Sequence, residues 1–173
     1  MTLTIELMGG LGNQLFQLYT LIATSIKYKQ PFKIQDSKTL THGTVRDTYW
    51  NTLLSSLRPF LCDRTLLNFP IYREGTFTYS TIPQFPSDTK LLGYFQTAKY
   101  FDDYKSVIEK ILGLNTMIRE AQEKYKSYFT AFTCAVHFRI SGYREVSDKH
   151  PVCSPEYYIK AMEEMKSKYP ETT

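Results

Sequence analysis

The sequence predicts an α/β fold built on a parallel sheet with flanking helices, and three observations carry that prediction. Residues 2–8 (TLTIELM) alternate as a strand, with Leu3, Ile5 and Leu7 on one face. Apolar residues then recur at helical spacing over 14–28, through Leu15, Leu18, Ile22 and Ile26, with Leu11, Tyr19 and Leu21 widening the stripe. Pro31 stops that helix, and PFKIQ (31–35) reads as a second strand. A strand, a helical crossover and a second strand form a βαβ unit, which requires a parallel sheet with covered faces.

Between the first strand and the helix lies MGGLGNQLFQ (8–17), with Gly9, Gly10 and Gly12 within four positions. Glycine serves where the backbone turns left-handed or where another group must approach it closely. A strand–glycine–helix junction also points free N–H groups, at the positive end of a helix dipole, at whatever lies above. Gly10 and Gly12 match a G-x-G-x-x-G dinucleotide fingerprint, but Leu15 stands in the third glycine's place. Asp36, after the second strand, is the acid that such a site would place on a ribose. Asn13 and Gln14 are amides suited either to sugar hydroxyls or to capping the helix.

Farther along, a helix is expected around 47–58, with Trp50, Leu53, Leu54 and Leu57 on one side. Short strands are expected at 70–73 and 76–80, and KLLGYFQ (90–96) has strand character. Helices follow at 102–112 and 115–128, with Gly113 ending the first and Asn115 capping the second. FTCAVHF (132–138) reads as a buried strand. Ser154 and Pro155 then open a last helix running to about Lys168. That helix has no strand after it to join, so the pattern reads either as a β–α unit cut short or as a terminal helix docked on a finished sheet.

Composition bounds the function. Hydrophobic residues (42%) are enough for a core, while 22% charged residues fit a soluble surface. Aromatic content is high at 15%, dominated by 14 Tyr and 11 Phe, which suits cores and sugar-binding surfaces alike. The net charge of +4 is spread without a basic run, so no nucleic-acid partner is indicated. Cys62, Cys134 and Cys153 are too few and too dispersed for a disulfide framework, and no Cys/His spacing suggests a metal. No basic, apolar leader opens the chain, and no run approaches the roughly 20 residues of a membrane span, so a cytoplasmic protein is expected. P-loop, G-x-S-x-G and D-x-D patterns are absent.

The second candidate site is VHFRISGY (136–143). Arg139 follows the expected strand at its carboxyl end, where open α/β sheets bind ligands, and a guanidinium there suits a phosphate. His137 shares its strand face. The plain alternatives are a surface arginine and a hydrogen-bonded core histidine.

Together, MGGLGNQLFQ, LLGYFQTAKYF (91–101) and VHFRISGY…HPVCSPEYYIKAM (136–162) resemble, in order and spacing, the α-1,2-fucosyltransferases of glycosyltransferase family eleven, of the soluble microbial or viral kind. The resemblance implies the N-terminal part of a GT-B fold, with a Rossmann-like acceptor-side domain over 1–130 and the start of the donor domain over 131–173. It implies metal-independent, inverting transfer of fucose from GDP-fucose to the 2-hydroxyl of a galactose-type acceptor, without a cofactor. Arg139 would hold the donor diphosphate with His137 and Tyr143 beside it, and Gly10, Gly12, Asn13 and Gln14 would line the cleft. No residue is singled out as the catalytic base.

Two departures qualify that resemblance. Ser141 and Gly142 stand where the family has Gly-Asp, which removes an acid that would organise the Arg139 loop. Family members also continue well past the last helix. A shortened donor domain implies weak donor binding by this chain alone, and completion of the cleft by a separate C-terminal half or by self-association. A carbohydrate-binding remnant without activity and an NAD(P)-binding oxidoreductase are the competing readings.

Overall fold

The computed structural model describes residues 1–41, 45–63, 68–76, 78–129, 133–138 and 152–171. In chain order the described elements are β1 (Leu3–Ile5), α1 (Leu11–Tyr28), β2 (Ile34–Gln35), β3 (Thr39–Leu40), β4 (Arg46–Asp47), a 3-10 helix (Ser55–Phe60), β5 (Leu61–Cys62), β6 (Ile71–Arg73) and β7 (Thr89–Leu92). Two short 3-10 turns (Ala98–Tyr100, Asp102–Tyr104) lead into α2 (Lys105–Leu112), then α3 (Leu114–Lys124), a 3-10 turn (Lys126–Phe129) and α4 (Pro155–Lys168). The chain divides into two compact units, Met1–Met117 and Ile118–Thr173.

The first unit is mixed α/β, with a small parallel sheet flanked by helices. β7 pairs parallel with β1, and β6 pairs parallel with the far side of β7. On the other side of β1, Leu3 bridges to Phe32. The Leu3 N–H donates to the Pro31 carbonyl (2.8 Å), and the Lys33 N–H donates to the Leu3 carbonyl (2.9 Å). That bridge leads into β2, which pairs parallel with β5. The order across the unit is therefore β5, β2, β1, β7, β6, and the middle strand carries the glycine loop. β3 and β4 form a separate antiparallel pair.

The expected stripe on α1 is buried in part: Leu18, Tyr19, Leu21 and Ile22 are buried, Leu11, Leu15 and Ile26 are half-buried, and Gln14, Gln17, Thr20 and Thr24 are buried outside it. Leu18, Leu21 and Ile22 pack with Leu3 and Ile5 of β1, Leu91 of β7 and Ile34 of β2 in one core. Ile108 and Leu112 of α2 join it, and Phe101 seats its ring 5.0 Å from Tyr19 and 5.9 Å from Phe16. α1 ends before Pro31 as expected. Lys29 turns left-handed (φ 53), and the Gln30 N–H closes the end on the Ser25 carbonyl at 3.0 Å. Gly113 (φ 69) likewise terminates α2.

Several expectations are corrected. The helix expected over 47–58 is instead β4, a turn and a 3-10 helix. Pairing of Arg46–Asp47 with Thr39–Leu40 holds the start of the segment extended, and Trp50, Leu54 and Leu57 reach the core from the turn and the 3-10 helix. Thr76 and residues 78–80 form no strand. α3 begins at Leu114, so Asn115 lies inside its first turn rather than capping it.

In the second unit, residues 133–138 are not the buried strand expected. They are irregular, with Val136 39% and Phe138 53% exposed. An apolar run becomes a strand only where a sheet edge accepts its backbone, and no described strand pairs with it. α4 does begin as expected, with Ser154 in extended backbone before Pro155 at the first position. Among the described residues no helix is long and apolar enough to cross a membrane.

Candidate functional site

The glycine loop is built by three different local requirements. Gly9 has φ +75, a region L-residues rarely adopt, and a side chain there would also strike the Asn13 amide. Gly10 and Gly12 are different: a Cβ at either would meet only open space. Gly10 is the extended residue before α1 (φ −75, ψ −179), and no side chain caps the helix. The first helical bond runs from the Gln14 N–H to the Gly10 carbonyl at 3.0 Å, so three backbone N–H groups precede it. No acidic side chain occupies that first turn. The result is a bare, electropositive backbone surface with no internal packing reason for two of its glycines.

Two buried glutamines hold the loop from below. Gln17, fully buried, accepts from the Met8 N–H (2.9 Å) and donates to the Met8 carbonyl (3.4 Å). Gln14, also fully buried, donates to the carbonyls of Gly9 (3.1 Å) and Asp47 (2.9 Å), while its Oε1 has no partner. Gln14 is thus a support of the loop and not an exposed amide at the helix start. Asn13 does face outward, and its Oδ1 accepts from Gln96 Nε2 at 2.8 Å.

That bond joins the first two sequence motifs at the carboxyl ends of β1 and β7, which neighbour each other in the sheet. Gln96 is aimed by an unusual turn. Phe95 is fully buried yet has φ 51, a strained conformation for an aromatic residue. Glu74, just past β6, holds it there: one carboxylate oxygen accepts from the N–H groups of Tyr94 (2.9 Å) and Phe95 (2.8 Å). Its other oxygen accepts from the Tyr100 hydroxyl at 3.2 Å, and the Tyr100 ring packs edge-on against Phe95. Gly93 is required by the same clamp, because a Cβ there would run into the Glu74 side chain, with Oε2 at 2.6 Å. Glu74, Gln96 and Gln17 were not singled out from the sequence. The glycine before the aromatic pair in LLGYFQ was the available signal for a tight turn, but nothing local marks Glu74 as its partner.

His137 lies exposed in the irregular segment of the second unit. Arg139, Ser141, Gly142 and Tyr143 lie outside the described residues. Asp36 is exposed at the end of β2, its N–H bonded to the Cys62 carbonyl (2.9 Å). Among the described residues no group of three or more His, Cys, Asp or Glu could hold a metal ion.

Burial pushes the Tyr19 and Tyr100 hydroxyls above their ordinary value of 10.0, with Glu109 and Glu74 adding to the respective shifts and Ser80 hydrogen bonds opposing the second. Burial also pushes the Cys62 thiol above its ordinary 9.0. Each group keeps its proton longer folded than unfolded, so its contribution is complete below the unfolded value and is lost as pH rises through the folded one. Urea midpoints are therefore expected to hold up to the ordinary thiol value of 9.0, and to fall as pH passes the ordinary tyrosine value of 10.0.

No family model, curated protein or solved structure matches this chain.

Proposed function

We propose that this chain belongs to a glycosyltransferase of the α-1,2-fucosyltransferase type, transferring fucose with inversion from GDP-fucose to the 2-hydroxyl of a galactose-type acceptor. One observation carries the reading furthest. Asn13 and Gln96, from two separate motifs, are hydrogen-bonded beside the bare backbone of Gly10 and Gly12 at the carboxyl edge of a parallel sheet. Crevices outside that edge are where open α/β sheets take ligands. In this reading the first unit is the Rossmann-like wall of a GT-B cleft, and the loop's uncapped N–H groups and amides meet sugar and phosphate oxygens.

Chemically, breaking the fucose–phosphate bond builds negative charge on the departing diphosphate and positive charge on the sugar ring. Arg139 is assigned to the diphosphate as its cation, with His137 and Tyr143 of the same motif as its helpers. The acceptor hydroxyl loses its proton to a general base as it attacks. A dinucleotide-binding reading is less well supported, because Leu15 packs against the core where that fingerprint uses glycine for close helix–strand contact.

The test is transfer from GDP-fucose to a β-galactoside, followed by mass spectrometry of the product. Turnover is expected to be slow, since Ser141 and Gly142 replace the acid that would brace Arg139. Arg139→Ala is expected to lower the rate by about 100-fold, in line with removal of one preorganised charge-stabilising group. Equal rates in parent and variant would remove Arg139 from the mechanism, and no fucosylated product from the parent would remove the activity.

A further inference from the structure

Residues 35–39, from the end of β2, sort their side chains by parity. Asp36 and Lys38 border a wide cleft of about 560 Å³ together with Trp50 and Arg58. Gln35, Ser37 and Thr39 border a different, smaller cleft of about 110 Å³, shared with Glu6 at the end of β1 and with Thr41. This alternation is the period of an extended chain, and it gives the two clefts different linings. The wide cleft carries two cations, Lys38 and Arg58, together with the Asp36 carboxylate. The small one carries one carboxylate, one amide and three hydroxyls, over the apolar side chains of Leu7 and Leu40.

We propose that the small cleft, outside the carboxyl ends of β1 and β2, binds a neutral, hydroxyl-rich saccharide unit. Glu6 is the one ionised residue on its wall among the described residues, and Lys90 is paired with it, so the cleft offers a phosphate or carboxylate no free cation. The Glu6 carboxylate, 27% exposed and 3.5 Å from Lys90 Nζ, keeps lone pairs for donor hydroxyls. Gln35 Nε2 donates to Ser37 Oγ at 2.6 Å, which leaves the Ser37 hydroxyl its own proton to donate. Thr39 and Thr41 add hydroxyls that both donate and accept, while Leu7 and Leu40 offer an apolar floor for the C–H face of a pyranose.

The wall is also held in place. The Ser37 carbonyl accepts from Trp50 Nε1 (2.9 Å) and from the Thr48 hydroxyl (2.6 Å), and the Asp36 N–H bonds to the Cys62 carbonyl (2.9 Å). A wall fixed before binding loses little freedom when a ligand arrives, which is what a weakly held sugar needs. The proposal rests on the glycosyltransferase reading for its biological sense, since it places the acceptor sugar in this cleft.

The experiment is saturation-transfer NMR on the full chain with methyl β-galactoside and lactose, without GDP-fucose, and a parallel titration with inorganic phosphate. Binding of both sugars is expected, with none of phosphate. Thr39→Trp fills the mouth from an exposed position and is expected to abolish the sugar signal; Glu6→Gln, which keeps the side-chain shape, is expected to weaken it about tenfold, a loss of ~1.4 kcal/mol. A cooperative melt for each variant establishes that it is folded. No sugar signal from the parent chain, an unchanged signal in folded Thr39→Trp, or phosphate displacing sugar would each overturn the proposal. The two readings fail separately: sugar binding without any transfer from GDP-fucose removes the enzyme and leaves the cleft, whereas transfer untouched by the cleft variants does the reverse.

Discussion

Replacing Glu74 by alanine is expected to destabilise the protein by about 3 kcal/mol, a large fraction of the stability of a single domain. The Glu74 carboxylate accepts from two successive backbone N–H groups and from the Tyr100 hydroxyl, and Phe95 between them is fully buried. Hydrogen bonds to a charged group contribute about 1.5–3 kcal/mol, and donors left without a partner inside the protein add their own desolvation cost. Without them the strain of Phe95 at φ 51 is left to the packing of its buried ring. The turn relaxes and Gln96 loses its aim at Asn13. Urea unfolding of Glu74→Ala and Glu74→Gln checks this. Glutamine keeps one acceptor oxygen and should lie between alanine and the parent, while equal stability for all three would show that the clamp holds nothing.

The second large effect is expected at Gln17. Its amide is fully buried and satisfies both backbone groups of Met8 from nine residues away. Gln17→Leu preserves volume and apolar contact but leaves the Met8 N–H and carbonyl without partners beside the core. The cost is expected to be about 2–3 kcal/mol, mostly desolvation of those two groups. Hydrogen exchange adds a local readout, because the Met8 amide should lose protection far more than amides at the far end of α1. An amide at Met8 as protected as in the parent would mean that the loop is held by its glycines alone.

How much of this was visible in the sequence depends on the range of the interactions involved. α1 was legible as a helix because its apolar period is local, but its burial extends past that period to Gln14, Gln17, Thr20 and Thr24, which contacts with distant elements decide. Gly113 and Pro31 were legible because helix termination is a property of one or two residues. The strand order was not, since pairing β7 with β1 joins residues far apart in the chain. Residues 47–58 misled because Trp50, Leu54 and Leu57 satisfy a helical pattern, while the pairing of Arg46–Asp47 with Thr39–Leu40 that holds the start of the segment extended is not a local signal. The glycine loop was visible as a unit, but the sequence could not separate Gly9, required by its φ, from Gly10 and Gly12, which no neighbour requires. Nor could it tell the inward Gln14 from the outward Asn13, because helix phase places them on different faces only once the loop's anchor is known. Glu74 was illegible for the same reason as the strand order: its partners lie in another loop.

The central claim is that Gly10 and Gly12 keep the backbone bare so that a ligand can approach it. Thermal unfolding of the parent and Gly12→Ala, with and without GDP-fucose, tests it most directly. Gly12 lies in the first turn of α1 with open space around it, so alanine should stabilise the unliganded protein by about 0.5–1 kcal/mol through lower chain entropy and better helix propensity. In the parent, GDP-fucose at a hundred times its dissociation constant should add about 2.7 kcal/mol. The account predicts a variant that is more stable alone and gains little from the ligand. A parent that gains nothing, or a variant that gains as much as the parent, would contradict it.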